Sequence, residues 1–293
     1  MILSPILIEV PSDFSFKSTV YSHGWCELPP FDLHTDNLTL GYVFADPCVG
    51  AVHGVISERD GVVKVELEHA CSDETKVVQN VRHMLRLDDR LDDFYSAIKD
   101  IDRLKWVGEK GAGRLLRSPT VFEDLVKTIC TTNCSWALTK SMVKNLVEKL
   151  GEASTQARKA FPTPAAMASV SPDFYRNEIR AGYRSPYFLE LAESVASGLV
   201  NPEQWLSSDL PTAELKKEMK KIKGVGDYAA ENLLKLVGRY DGLALDSWLR
   251  SQFYKNHNGE KVCPDQQIER HYHRYGKWRG LAIWCDMTEK WIN

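Results

Sequence analysis

A lone carboxylate stands in the stretch "GLALDSWLR". Asp246 follows the apolar Leu243-Ala244-Leu245 and lies twenty positions beyond the second glycine of a Gly224-Val225-Gly226 turn. A carboxylate at the end of an apolar strip is suited to stabilising positive charge, because a low dielectric strengthens the attraction. By local chemistry Asp246 is also a natural N-cap for a helix opening at Ser247. The turn supplies the complementary chemistry. Backbone N–H groups at the start of the following helix point outward, where they bind an anion such as a phosphate oxygen. Lys216, Lys217, Lys220, Lys221 and Lys223 crowd the same spot. Taken alone, the turn also reads as an αα-corner with a solvated lysine face.

The elements around these residues follow from periodicity. Pro211 suits a helix start, with Leu215, Met219 and Ile222 as the apolar stripe. Gly224 and Gly226 permit positive φ, Asp227 is placed to cap the next helix, and Ala229/Ala230, Leu233/Leu234 and Val237 form that helix's buried face. Upstream, Phe122, Leu125, Val126, Ile129 and Cys130 make one helical stripe, and Met142, Val143, Leu146, Val147 and Leu150 another. The first hundred residues read as β-rich. An Asp60-Gly61 turn precedes Val63, Val65 and Leu67 in alternation with charged residues, which predicts a hairpin with one buried face. From about Val77 to Ile98 the period turns helical. "GEKGAGRLLRSP" (108–119) reads as a connecting loop between subdomains, because no strand precedes it and no GK[ST] ends it.

Bulk properties narrow the classes. The chain of 293 residues, 43% hydrophobic and 26% charged, has ample material for a core. The net charge of −3 hides an asymmetry. Residues 1–100 carry 8 basic and 17 acidic side chains, whereas the remainder carries 29 against 23, so a polyanion would be met by the C-terminal two-thirds. No apolar run reaches the roughly 20 residues needed to span a bilayer, and no membrane association is expected. The seven cysteines contain no CxxC pair, which predicts reduced thiols, an intracellular protein and no iron–sulfur cluster.

The glycine turn and the aspartate together resemble the helix-hairpin-helix (HhH-GPD) DNA glycosylase superfamily, which includes the inducible bacterial 3-methyladenine glycosylases and the 8-oxoguanine glycosylases. The likeness is close from about Ser118 to Phe253 and looser outside. It implies an α+β fold. A mainly helical core of two helical subdomains (108–293) would contain the helix-hairpin-helix at about 211–238, behind an N-terminal antiparallel β subdomain (1–107). It implies that Asp246 drives cleavage of an N-glycosidic bond. Lys223, Gly224, Val225 and Gly226 would grip DNA phosphates, and the carbonyls of about Lys220, Ile222 and Val225 would hold a structural K+ or Na+. "ICTTNCSWALTKSMVKNL" and "GYRSPYFLELAESV" match two further stretches. By that likeness Asn133 enters the gap left by a flipped nucleotide, Tyr183 wedges into the base stack, and Arg184 meets the orphaned base. Each also has an ordinary reading, as a helix cap, a loop aromatic and a surface charge.

Bifunctional members carry an amine two positions after the second hairpin glycine, where this chain has Tyr228. A phenol forms no iminium with a sugar aldehyde, so the resemblance implies base release without AP-lyase activity and without a metal or redox cofactor. The positions by which 8-oxoguanine enzymes grip their base are Ile283 and Met287, with Trp284 beside them. Tyr228, Trp25, Trp136 and Trp284 are the expected walls of the base pocket, with Trp248 and Trp278 as further aromatic faces. Such faces suit a cationic alkylated purine. The expected partner is duplex DNA containing a damaged base, acted on by a monomer in the cytoplasm or nucleoid, or in a nucleus. The alternatives are a glycosylase for another base such as 8-oxoguanine, and a non-catalytic structure-specific DNA-binding protein.

Overall fold

The computed structural model describes residues 3–292. Five strands, β1 (Ile6–Glu9), β2 (Asp32–His34), β3 (Thr39–Asp46), β4 (Gly50–Arg59) and β5 (Val62–Leu67), form one antiparallel sheet of order β1-β5-β4-β3-β2. Asp60 and Gly61 both take positive φ, 55° and 78°, as a two-residue hairpin turn requires. That turn sets Val63 opposite Glu58 and Val65 opposite Ile56, and both valines are buried.

Helices supply the rest. The first four are α1 (Phe16–Val20), α2 (Glu74–Leu85), α3 (Asp92–Ile98) and α4 (Lys105–Glu109). α5 (Val121–Thr131), α6 (Trp136–Leu150), α7 (Pro164–Ala168), α8 (Pro172–Phe174) and α9 (Ser185–Ala196) follow. The last five are α10 (Thr212–Met219), α11 (Asp227–Leu236), α12 (Ser247–His257), α13 (Asp265–Tyr272) and α14 (Arg279–Ile292). The predicted stripes of α5, α6, α10 and α11 are the buried ones, with Leu150 and Ile222 only partly covered. None of the helices among the described residues is long and apolar enough to cross a membrane.

Two expectations change. The helical stretch from Val77 to Ile98 is two helices, because Arg86 takes φ 56° and ends α2. Its buried guanidinium then reaches the Lys235 carbonyl of α11 at 3.1 Å and Asp89 at 2.7 Å. The segment 108–119 is a loop over 112–118 as read, but a covered one, since residues 111–118 are all buried. Arg114 bonds both oxygens of Asp13, at 3.0 and 3.1 Å, and Arg117 donates to the Leu236 carbonyl. A buried guanidinium is tolerated where its donors are satisfied in this way. These two arginines stitch the N-terminal segment to the helices, and one apolar core runs from Ile8 to Ile292.

Candidate active site and DNA-facing surface

Asp246 is the N-cap of α12, with extended backbone (φ −116°, ψ −177°) and Oδ1 accepting the Leu249 amide at 2.7 Å. One carboxylate thus caps a helix, as its position before Ser247 predicts, and also lines a cavity. The apolar strip before it is fastened to α11 at two points. Glu231 accepts the Ala244 amide at 2.6 Å, and Lys235 Nζ donates to the Leu243 carbonyl at 3.0 Å. Ala244 itself takes φ 53°, a left-handed conformation that costs about 1–2 kcal/mol in a residue with a Cβ. The strip is therefore held by its neighbours rather than by local preference. Neither Glu231 nor Lys235 stood out in the sequence, because both sit on a helix whose apolar face is elsewhere.

The cavity beside Asp246 measures about 750 Å³, ample for a purine. α11 contributes Tyr228, Asn232 and Lys235 to its wall, spaced four and three residues apart along one helix face. The Tyr228 hydroxyl hydrogen-bonds with the Asp246 carboxylate, and burial ahead of that charge pushes the phenol up to about 12. Trp284, Trp248 and Trp291 make an indole cluster on the opposite wall, with ring centroids 5.2–6.1 Å apart. The N-terminal segment adds His23, Trp25 and Glu27.

Hydrogen bonds orient the expected pocket aromatics. Trp25 Nε1 donates to the buried Asp124 at 2.7 Å, Trp284 Nε1 to the Ser22 carbonyl at 2.8 Å, and Trp136 Nε1 to Glu27 at 3.1 Å. The Trp136 ring lies so close over Gly24 that an added Cβ there would fall 2.5 Å from it. Burial pushes the Asp124 carboxyl up to about 6 and the His23 imidazole down to about 4. Ile283 and Met287 are buried and do not line the cavity; α14 presents Trp284 and Trp291 instead, one heptad apart. Trp278 packs against Tyr240 and Phe94 in the core.

The hairpin departs from expectation in three ways. Gly224 takes φ 90°, but Gly226 is at φ −88°, a conformation open to any residue. Gly226 is the N-cap of α11, and Asp227 makes no side-chain cap; its carboxylate pairs with Lys216 and Lys220 at 3.0 Å. Nor do the lysines form an uncompensated face. Lys217 pairs with Glu214, Lys221 with Glu218 and Lys223 with Glu190, at 2.6–2.8 Å. Exposed pairs of this kind are worth ~0–1 kcal/mol, so a phosphate can replace the carboxylate partner. Of the carbonyls considered for a cation, that of Ile222 accepts the Val225 amide at 3.0 Å. Val225 is buried, and Gly224 packs on Ile129 of α5 and Tyr187 of α9.

Asn133 and Tyr183, fifty residues apart, are brought together: Asn133 Nδ2 lies 3.4 Å from the Tyr183 hydroxyl. Both are exposed, and Asn133 takes φ 46°; the cap of α6 is Ser135, not Asn133. Arg184 is not the exposed group expected. It is 3% exposed, its Nε donates to the Ile129 carbonyl at 3.1 Å, and its guanidinium lies 4.5 Å from the Tyr183 ring centroid. Its Nη2 is buried without a hydrogen-bond partner. The Ile129 carbonyl and the Thr132 hydroxyl at the end of α5 draw the guanidinium inward, so Arg184 braces Tyr183 from below.

A second polar cluster, His257, His271 and Asp286, lies away from the cavity. Asp286 already accepts from Tyr272 at 2.6 Å, Arg103 at 2.8 Å and His257 at 2.7 Å. The arginine occupies the charge that a metal ion would need, and the network reads as a tie between α12, α13 and α14.

No protein-family model matches the chain. A curated relative, the probable N-glycosylase/DNA lyase of Methanothermobacter thermautotrophicus, is 22% identical over 224 residues, covering 68% of this chain and 70% of the relative. The 3-methyladenine DNA glycosylase structure from Archaeoglobus fulgidus is similar with a TM-score of 0.77 at 17% identity, covering 97% of this chain and 98% of that one. The apo 8-oxoguanine glycosylase/lyase of Clostridium acetobutylicum gives 0.74 at 19% identity, over 97% and 95%. The five-stranded sheet and the helical core together have the fold of these solved DNA glycosylase structures.

Proposed function

We propose that this protein is a monofunctional DNA glycosylase that removes a damaged purine from duplex DNA. The observation that carries the reading is Asp246, held by the Leu249 amide, bonded to Tyr228 and lining an aromatic cavity roomy enough for a purine. A base in duplex DNA is out of reach, so the nucleotide rotates out at a cost of a few kcal/mol. Tyr183 and Asn133 fill the gap, while the hairpin and the α11 amides hold the backbone phosphates. A hairpin-bound K+ or Na+ would serve that grip and take no part in the chemistry.

In the cavity the base stacks on indoles. The C1′–N bond breaks, the base leaves with the electron pair, and the Asp246 carboxylate stabilises the cationic sugar. Water adds at C1′ and loses its proton, which leaves an abasic site. Tyr228, where lyases carry an amine, cannot form a Schiff base, and the strand stays intact. The aromatic walls favour a cationic alkylated purine, the first expectation, while Lys235 in the same wall weighs toward an uncharged oxidised one.

A panel of duplexes, each with one defined lesion, tests the reading through abasic sites revealed by alkali. At least one damaged purine should be released and left as an alkali-labile site. Binding to every duplex with release from none would favour the silent DNA-binding alternative.

A further inference from the structure

The amine in the pocket wall has no assigned task. Lys235 is 2% exposed and lies seven residues beyond Tyr228 on the same face of α11. An ammonium has three N–H donors. Among the described residues its one hydrogen-bond acceptor is the Leu243 carbonyl, at 3.0 Å. Its Nζ also lies 5.5 Å from the Trp284 ring centroid. The cation–π position that an indole offers is therefore taken by the protein's own cation.

Two carboxylates, Glu231 and Asp246, act on this charge from nearby, and neither accepts a hydrogen bond from the ammonium. Glu231, one turn back on α11, is committed to Lys216 and to the Ala244 amide, both at 2.6 Å. Asp246 is committed to the Leu249 amide and to Tyr228. The Cys285 thiol of α14 is pushed up to about 12 by burial, and His23 is held neutral. Burial lowers Lys235 only to about 8, so the amine is still charged at neutral pH.

Resting on the glycosylase reading, we infer that Lys235 is a specificity-determining residue, which selects an uncharged purine bearing a carbonyl or ring-nitrogen acceptor and excludes a purine made cationic by N-alkylation. An acceptor on the entering base uses donors that Leu243 leaves over. A base carrying its own positive charge meets the like charge of Lys235 within the same cavity, which offsets the attraction of Asp246.

The test compares the full chain, Lys235→Met and Lys235→Arg on duplexes holding 8-oxoguanine, hypoxanthine or 7-methylguanine. Single-turnover release should favour one of the two oxopurines over 7-methylguanine in the unaltered protein. Lys235→Met should lose oxopurine release by roughly 10- to 100-fold, the effect of removing one partner from a buried hydrogen bond to a charged group. Lys235→Arg, which keeps the charge, should retain more of the preference. Faster release of 7-methylguanine by the unaltered protein would overturn the inference whether or not the variants fold. An unchanged preference in a folded Lys235→Met would also overturn it. Failure of the glycosylase reading looks different: the unaltered protein would release no base from any duplex.

Discussion

The amide of Asn133 stands 3.4 Å from the hydroxyl of Tyr183, an exposed pair built from two loops fifty residues apart. Arg184 lies beneath it, tied to the end of α5. If the pair fills the space of a flipped nucleotide, Tyr183→Ala should slow release from duplex DNA by roughly 10- to 100-fold, since stacking on one aromatic is worth ~1–3 kcal/mol per base. A single strand with the same lesion needs no such filling and should lose little. Equal losses on both substrates, measured by single-turnover kinetics, would remove the wedge role.

The two hairpin glycines should behave differently when changed to alanine. Gly224 takes φ 90°, and a Cβ there would meet Tyr187 and Ile129 at 3.2–3.3 Å. Gly224→Ala should therefore cost ~1–2 kcal/mol of stability for the left-handed conformation alone. Gly226 is at φ −88° with open space around its Cβ. Gly226→Ala should leave the thermal midpoint unchanged and weaken binding to all duplexes alike, because under the proposed grip its methyl would stand in the path of a phosphate. Thermal melts paired with binding titrations separate the two outcomes.

Asp227 pairs with Lys216 and Lys220, the amines that the proposed hairpin grip would offer to a phosphate. Asp227→Asn removes a negative charge at the start of α11 and releases both amines. Affinity for undamaged duplex should rise several-fold at low salt, about 1 kcal/mol, with a steeper dependence on salt concentration. Unchanged affinity at low salt would place the phosphate contact elsewhere.

Lyase chemistry is tested by borohydride trapping on the preferred substrate. The proposed reading puts Tyr228 where lyases carry an amine, and Lys235 is the one lysine lining the cavity among the described residues. Its amine is bonded to the Leu243 carbonyl and mostly protonated at neutral pH. No covalent adduct should form, and the product strand should break only under alkali. An adduct that survives Tyr228→Phe and disappears in Lys235→Met would assign the attack to Lys235.

Features set by local chemistry are legible in the sequence. The buried stripes of α5, α6, α10 and α11 follow from periodicity, the Asp60-Gly61 turn from its residue types, and the capping of α12 from an aspartate before Ser247. What was missed depends on contacts distant in sequence. Arg184 reads as a surface charge until the end of α5 offers it the Ile129 carbonyl. Lys235 looks like a solvated residue until the strip before Asp246 and Trp284 of α14 close over it. Trp291 joins the cavity only because α14 carries it one heptad beyond Trp284. The ion pairing of the hairpin lysines is likewise invisible in a count of charges, since Glu190 lies thirty-three residues from Lys223.

Asp246→Asn tests the central claim most directly. Asparagine caps a helix as well as aspartate and still accepts the Leu249 amide, so α12 and the cavity should survive the change. The carboxylate charge that would stabilise the departing base's sugar is lost. On the preferred lesion duplex, binding should stay within a few-fold while single-turnover base release falls by about 100- to 1,000-fold, the scale of removing one preorganised electrostatic group. Release at the unaltered rate by a folded, DNA-binding Asp246→Asn protein would contradict the account.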